Sequence, residues 1–132
     1  ATINDREYLF VGGAISVDRE KRTEGTSWWR GEQVDTKLIN EIAADPPEVD
    51  VLVCHTAPFG VGPTSNAFIK TYFINDPDLE EQLPQERKDI LRLLQAVKPK
   101  EFYCGHFHES SISEIDDCRC RILDINELYA KY

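Results

Sequence analysis

The chain has 132 residues, with 24 acids against 15 bases and a formal net charge of −9. That balance argues against a protein whose main task is to grip nucleic acid through its phosphates, and 41% apolar residues are enough to build a core, which excludes wholesale disorder. No apolar run approaches the roughly 18 residues that a membrane helix needs. No basic-then-apolar segment opens the chain, so no signal peptide is expected. The four cysteines, at 54, 104, 118 and 120, follow no clear disulfide framework. The expected setting is reducing and cytoplasmic. The chain starts at Ala1 and contains no Met, as after removal of an initiator Met or as in a piece of a longer polypeptide.

The run Tyr8-Leu9-Phe10-Val11, closed by Gly12-Gly13, predicts a strand, and residues 14–17 continue or follow it. Residues 18–26 are charged and predict a loop. From 32 to 44 the spacing of Val34, Leu38 and Ile42 predicts a helix with Glu32 in its first turn, stopped by Pro46-Pro47. Residues 49–54 are nearly all apolar, as in a strand buried on both faces. After a Gly- and Pro-containing loop, residues 64–82 are of mixed character, with Asp76-Pro77 marking a helix start. Ile90, Leu91, Leu94 and Val97 give the clearest helix, 84–97, with Pro99 just beyond it. Residues 101–104 predict a strand, 110–115 and 118–125 a hairpin about Asp116-Asp117, and Leu128-Tyr129 a last helical turn. The alternation of strand and helix predicts an α/β fold with parallel pairing.

All three histidines follow predicted buried strands: His55 after one, His106 and His108 after another. In open α/β sheets, ligands bind beyond the carboxyl ends of the strands. Neighbouring parallel strands would bring the three imidazoles to one crevice. In Gly105-His106-Phe107-His108 the two imidazoles are two residues apart, so in an extended segment they project alike and can serve one metal or two adjacent metals. Gly105 would permit a conformation or close approach that a Cβ blocks. Phe107 would point the other way, into the core or onto a substrate rim.

These residues resemble the C-terminal half of a calcineurin-like metallophosphoesterase, of the kind found in bacteria and phages. The strand ending in Cys54-His55-Thr56-Ala57-Pro58, the intervening helix, the Lys98-Pro99-Lys100 turn and the Gly-His-x-His element carry the likeness. The segment Val11-Gly12-Gly13-Ala14-Ile15-Ser16-Val17-Asp18 and the pair Trp28-Trp29 extend it over nearly the whole chain. The resemblance implies an αββα β-sandwich with helices outside and a metal site at the strand C-terminal ends. It implies two divalent ions, Mn²⁺, Fe or Zn²⁺, with His55 and His106 on one and His108 on the other. A hydroxide bridging the pair would hydrolyse a phosphodiester or phosphomonoester, with nucleotides or other small phosphoesters as substrates.

The family's Asp-x-His, Gly-Asp and Gly-Asn-His motifs have no counterpart among residues 1–132. The chain is therefore expected to be the C-terminal portion of one such domain and inactive alone. The missing ligands would come in cis or from a partner chain, and no catalytic residue is assigned within it.

Two other readings stand beside this one. Cys118 and Cys120 could join His106 and His108 in a structural zinc site, or the chain could be a non-catalytic binding or regulatory module. Arg19, Lys21, Arg22 and Arg30 could meet a substrate phosphate or form a solvated loop. Trp28-Trp29 could stack on a base or pack in the core. Asn66, Lys70 and Tyr72 lie where they could shape the pocket.

Overall fold

The computed structural model describes residues 1–62 and 69–129; Asn66 lies outside them. The elements are β1 (Thr2–Ile3), β2 (Arg6–Val11), a 3₁₀ turn (Arg19–Lys21), α1 (Thr36–Ala44), β3 (Val51–Cys54), α2 (Lys70–Phe73), α3 (Leu79–Val97), β4 (Glu101–Cys104), β5 (Ser111–Ile115) and β6 (Cys118–Ile122). The six strands form one mixed sheet in the order β1-β2-β3-β4-β6-β5. The four inner strands are parallel to their neighbours, and each edge is closed by an antiparallel partner. This is the expected α/β alternation with parallel pairing.

Alternation along the strands gives the sheet two faces. On one, Leu52, Phe102, Cys120 and Ile122 meet Ile39 of α1 and Ile90, Leu93 and Leu94 of α3, all within one buried cluster. The other face carries Tyr8, Phe10, Val53, Tyr103 and Ile112, brought into line by the registers Phe10↔Val53↔Tyr103↔Arg121↔Ile112. Phe10 is 57% and Ile112 69% exposed there. Near the start of the inner strands this face holds a polar group: Arg6 pairs with Glu101 at 3.3 Å, and the Tyr103 hydroxyl donates to Glu101 at 2.8 Å. Among the described residues there is one sheet, and the second layer of a sandwich is not among them.

Local chemistry accounts for where the elements begin and end. α1 starts four residues later than the apolar spacing predicts. Asp35 caps it by accepting from the amides of Lys37 and Leu38. Glu32 instead stands outside the helix, where its carbonyl accepts from Ala14. Residues 14–17 are not a strand. Gly13, at φ 108°, turns the chain, and the next amides go to carbonyl and carboxylate acceptors rather than a ladder. α3 begins at Leu79 rather than 84, because the turn from Asp76 through Asp78 already supplies acceptors for its first amides. It ends at Lys98, which takes the left-handed conformation and donates to Leu94. The two-residue turn Asp116-Asp117 has positive φ at both positions, as the hairpin requires. Leu128-Tyr129 is not helical. The short strand β1, unforeseen, is tied down by the Ala1 amino group donating to Tyr8. Among the described residues no helix is long and apolar enough to cross a membrane.

Candidate functional site

β3 and β4 are adjacent, parallel and in register at Val51↔Glu101, Leu52↔Phe102 and Val53↔Tyr103. Both therefore end at the same level, and the residues that follow them meet. The Gly105 amide donates to the His55 carbonyl at 3.2 Å, and His55 Nε2 lies 3.2 Å from His106 Nδ1. The two rings meet edge to face, 4.9 Å apart. His55, His106 and His108 all line one cavity of about 820 Å³ at the strand C-terminal ends. The convergence predicted from three strand-end histidines is what this geometry has.

The local conformation differs from the one expected. The Gly105–His108 stretch is not extended: His106 and His108 have φ of 70° and 53°, a region few non-glycine residues visit. Gly105 has no positive φ, and a Cβ there would stand in ordinary contact, 3.8 Å from the Leu123 carbonyl. The conformational demand falls on the histidines, not on the glycine. Phe107 packs against the core and also lines the cavity, its ring edge-on to His106 at 5.4 Å.

Nitrogens bound to one ion at about 2.0–2.1 Å stand roughly 2.8–3.0 Å apart along an octahedral edge and roughly 3.3–3.4 Å apart along a tetrahedral one. The His55–His106 separation of 3.2 Å, a hydrogen-bonding distance as the rings stand, lies between those two edges. Burial first, then the neighbouring His55 and His108 and the Arg87 guanidinium, push His106 down to about 4. Its ring is neutral at neutral pH, and its Nδ1 shares a hydrogen bond with His55 Nε2. Among the described residues no group of three or more His, Cys, Asp or Glu side chains gathers closely enough to hold one ion. The site consists of a pair, His55 and His106, with His108 elsewhere on the cavity wall.

The four-residue zinc set is not assembled. Cys120 is in register with Phe102, and Cys118 lies further back toward the start of β6. His106 follows the opposite end of β4, on the order of 10 Å along the strand direction from Cys120. Both cysteines are free thiols buried in the core, as are Cys54 and Cys104. Burial pushes the Cys54 and Cys104 thiols up to about 12, so they stay protonated.

The basic loop is engaged internally. Arg19 makes a two-pronged pair with Asp76, at 2.5 and 3.0 Å. Arg22 pairs with Asp18 at 2.7 Å, Arg30 grips Glu24 from two nitrogens, and Lys21 lies over the Tyr72 ring. Of these four cations, Arg22 alone lines the cavity. The guanidinium groups of Arg19 and Arg30 both lie against the Trp28 ring, at 6.0 and 5.7 Å, and Trp29 is 55% exposed, so core packing does not hold for Trp29. Tyr72 lines the cavity, whereas Lys70 is exposed on α2.

Helix α3 contributes two residues that the sequence reading missed. Glu86, 6% exposed, accepts from the Ile15 amide with one oxygen and from the Val34 amide with the other, both at 3.0 Å. Burial pushes its carboxyl up even so. Glu32 assists by accepting from Ser16. Arg87 enters the cavity beside the histidines. The available signal was phase: Glu86 falls on the stripe continued by Ile90, Leu93, Leu94 and Val97, where a charge demands a partner. Compared with protein-family models and with curated proteins, the chain matches none.

Proposed function

We propose that this cavity is the metal-binding part of a dimetal phosphoesterase of the calcineurin-like kind, acting on nucleotides or other small phosphoesters. The observation that carries the reading is the His55–His106 nitrogen pair, 3.2 Å apart at the ends of adjacent inner parallel strands. His55 and His106 hold one divalent ion, His108 contributes to a second, and further ligands come in cis or from a partner chain. Mn²⁺, Fe and Zn²⁺ suit imidazole donors. Such ions, when bound, activate a water and neutralise phosphoryl charge. This chain's own residues orient the ligands. Strand pairing fixes the spacing of His55 and His106, and Phe107 buttresses the His106 ring. The αββα sandwich belongs to the same proposal, supported by the apolar residues on the open face of the sheet, where a second sheet would pack. So does a cytoplasmic setting, supported by four free thiols.

The test is the metal content of the purified full chain after equilibration with Mn²⁺ and Zn²⁺, measured by elemental mass spectrometry. His55→Ala and His106→Ala should each weaken retention of the shared ion by more than about 10-fold, with the far-UV spectrum unchanged. Wild-type retention in both variants would overturn the assignment. For the substrate class, the complete enzyme should turn over nucleotide esters faster than long DNA in parallel assays, and the reverse preference would refute that part.

A further inference from the structure

We infer that the apolar side of the cavity is a seat for a flat aromatic ring, so that the phosphoester taken here carries a nucleobase rather than a bare sugar or polyol; this rests on the phosphoester reading above. Six apolar side chains line the cavity together with the histidines: Phe59, Ile69, Tyr72, Phe73, Leu83 and Pro84. None of them belongs to the buried core cluster. Phe59 is 45% exposed, and the other five are half-buried. Apolar surface left open to water in a cavity, beside a few polar groups that fix orientation, is the usual make-up of a small-molecule site.

Three features select a ring over a saturated chain. Phe59, Tyr72 and Phe73 are aromatic, and every nucleobase has a face that stacks on such a ring. Two ammonium groups attend two of these rings: Lys21 Nζ stands 5.4 Å from the Tyr72 centroid and Lys88 Nζ 5.5 Å from that of Phe59. A base brings ring nitrogens and carbonyl oxygens that accept from an ammonium, whereas an alkyl chain brings none. The seat is also held in place by contacts within the fold. The Phe59 amide donates to the Arg87 carbonyl at 2.9 Å, and the Arg19–Asp76 pair fixes the segment that follows α2. A preformed seat loses little ordering entropy on binding. Phe59 follows His55 closely in the chain, and Phe107 separates His106 from His108. The apolar side therefore adjoins the imidazoles, and a cavity of about 820 Å³ has room for one molecule with its phosphoryl group at the histidines and its ring on the aromatic residues.

The experiment is calorimetric titration of the full chain, with and without Mn²⁺, using adenosine 5′-monophosphate, ribose 5-phosphate and adenosine, alongside measured Mn²⁺ stoichiometry. The nucleotide should bind about 10-fold or more tighter than the sugar phosphate. Phe59→Ala and Tyr72→Ala should each cut that preference by about 5-fold or more and leave the Mn²⁺ stoichiometry unchanged. Tyr72→Phe keeps the ring and should keep the preference, whereas Phe59→Leu keeps apolar bulk without a ring and should lose it. Equal affinities for nucleotide and sugar phosphate overturn the inference. So does a preference that survives both alanine variants, or a wild-type chain that binds none of the three compounds at millimolar concentration. If no Mn²⁺ binds but adenosine does, and Phe59→Ala abolishes it, the metal reading falls and the aromatic seat stands. If Mn²⁺ binds at His55 and His106 while nucleotide and sugar phosphate bind alike, the outcome is the opposite. Each variant is compared with wild type by far-UV spectrum and thermal midpoint. Should an alanine variant fail to fold, Phe59→Leu carries the test, and an unchanged preference there overturns the inference.

Discussion

Glu86 holds two separate loops to α3 with a single carboxylate, one oxygen on the Ile15 amide and the other on that of Val34. Both partners are donors, so the site needs two acceptors. Glu86→Gln keeps the size but turns an NH₂ toward one amide N–H, leaving a buried donor unpaired. Urea denaturation should show a loss of about 1–3 kcal/mol. Unchanged stability would mean that the loops are held by other contacts. At this scale the sequence exposed the histidines but not Glu86 or Arg87. A histidine directly after a strand declares its position, because strand ends are where ligands gather. A charge on a helix declares only its face. Its partner amides at 15 and 34 are 71 and 52 residues away along the chain, and no local pattern connects them. The Gly-His-x-His geometry departs from its spacing for a related reason. The spacing of two suggests an extended backbone, whereas the loop turns left-handed at both histidines.

Between Asp18 and Arg22, which both line the cavity, the chain makes only a short 3₁₀ turn. The 3₁₀ turn Arg19–Lys21 is pinned to α2 by Lys21 over Tyr72 and to the segment between α2 and α3 by Arg19–Asp76 and by Asn75 donating to Glu20. The Arg19 hydrogen bond holds the Asp76 carboxyl below its ordinary 3.8. The folded state thus favours the charged form. The contribution is complete above that ordinary value and is lost as the pH falls through the lower folded one. Wild-type protein should lose stability on that acid limb, and Asp76→Asn should remove part of the pH dependence. Identical acid limbs in the two proteins, followed by thermal unfolding at stepped pH, would discard the pin. Helices and inner strands were readable because periodicity and Pro mark them. Asp76-Pro77 lies just before the start of α3, and Pro84 sits inside the helix rather than at its boundary. Residues 14–17 were apolar enough for a strand, but their amides were taken by Glu32 and Glu86.

For the molecule as a whole, the two faces of the sheet should respond differently to the same truncation. Phe102 is fully buried against α3, and Phe102→Ala should cost about 3–5 kcal/mol. Phe10, on the open face, keeps most of its surface in water, and Phe10→Ala should cost about 1 kcal/mol or less. Equal losses in denaturant titrations would contradict the one-sided core. The α/β class was legible in the order of elements, since parallel strands need helical crossovers. The position of β6 between β4 and β5 was not, because a hairpin can join a sheet by either of its strands.

The His55–His106 pair has a thermodynamic corollary. These residues stand 51 apart in the chain and meet only when β3 and β4 pair. An unfolded polypeptide scatters them, so an ion that needs both binds the folded state alone. Under the proposed metal reading, ion concentration would then raise the melting temperature. At about 100 times its dissociation constant such an ion adds roughly 2.7 kcal/mol to unfolding, and a chelator should lower the midpoint of wild type while leaving that of His106→Ala where it was.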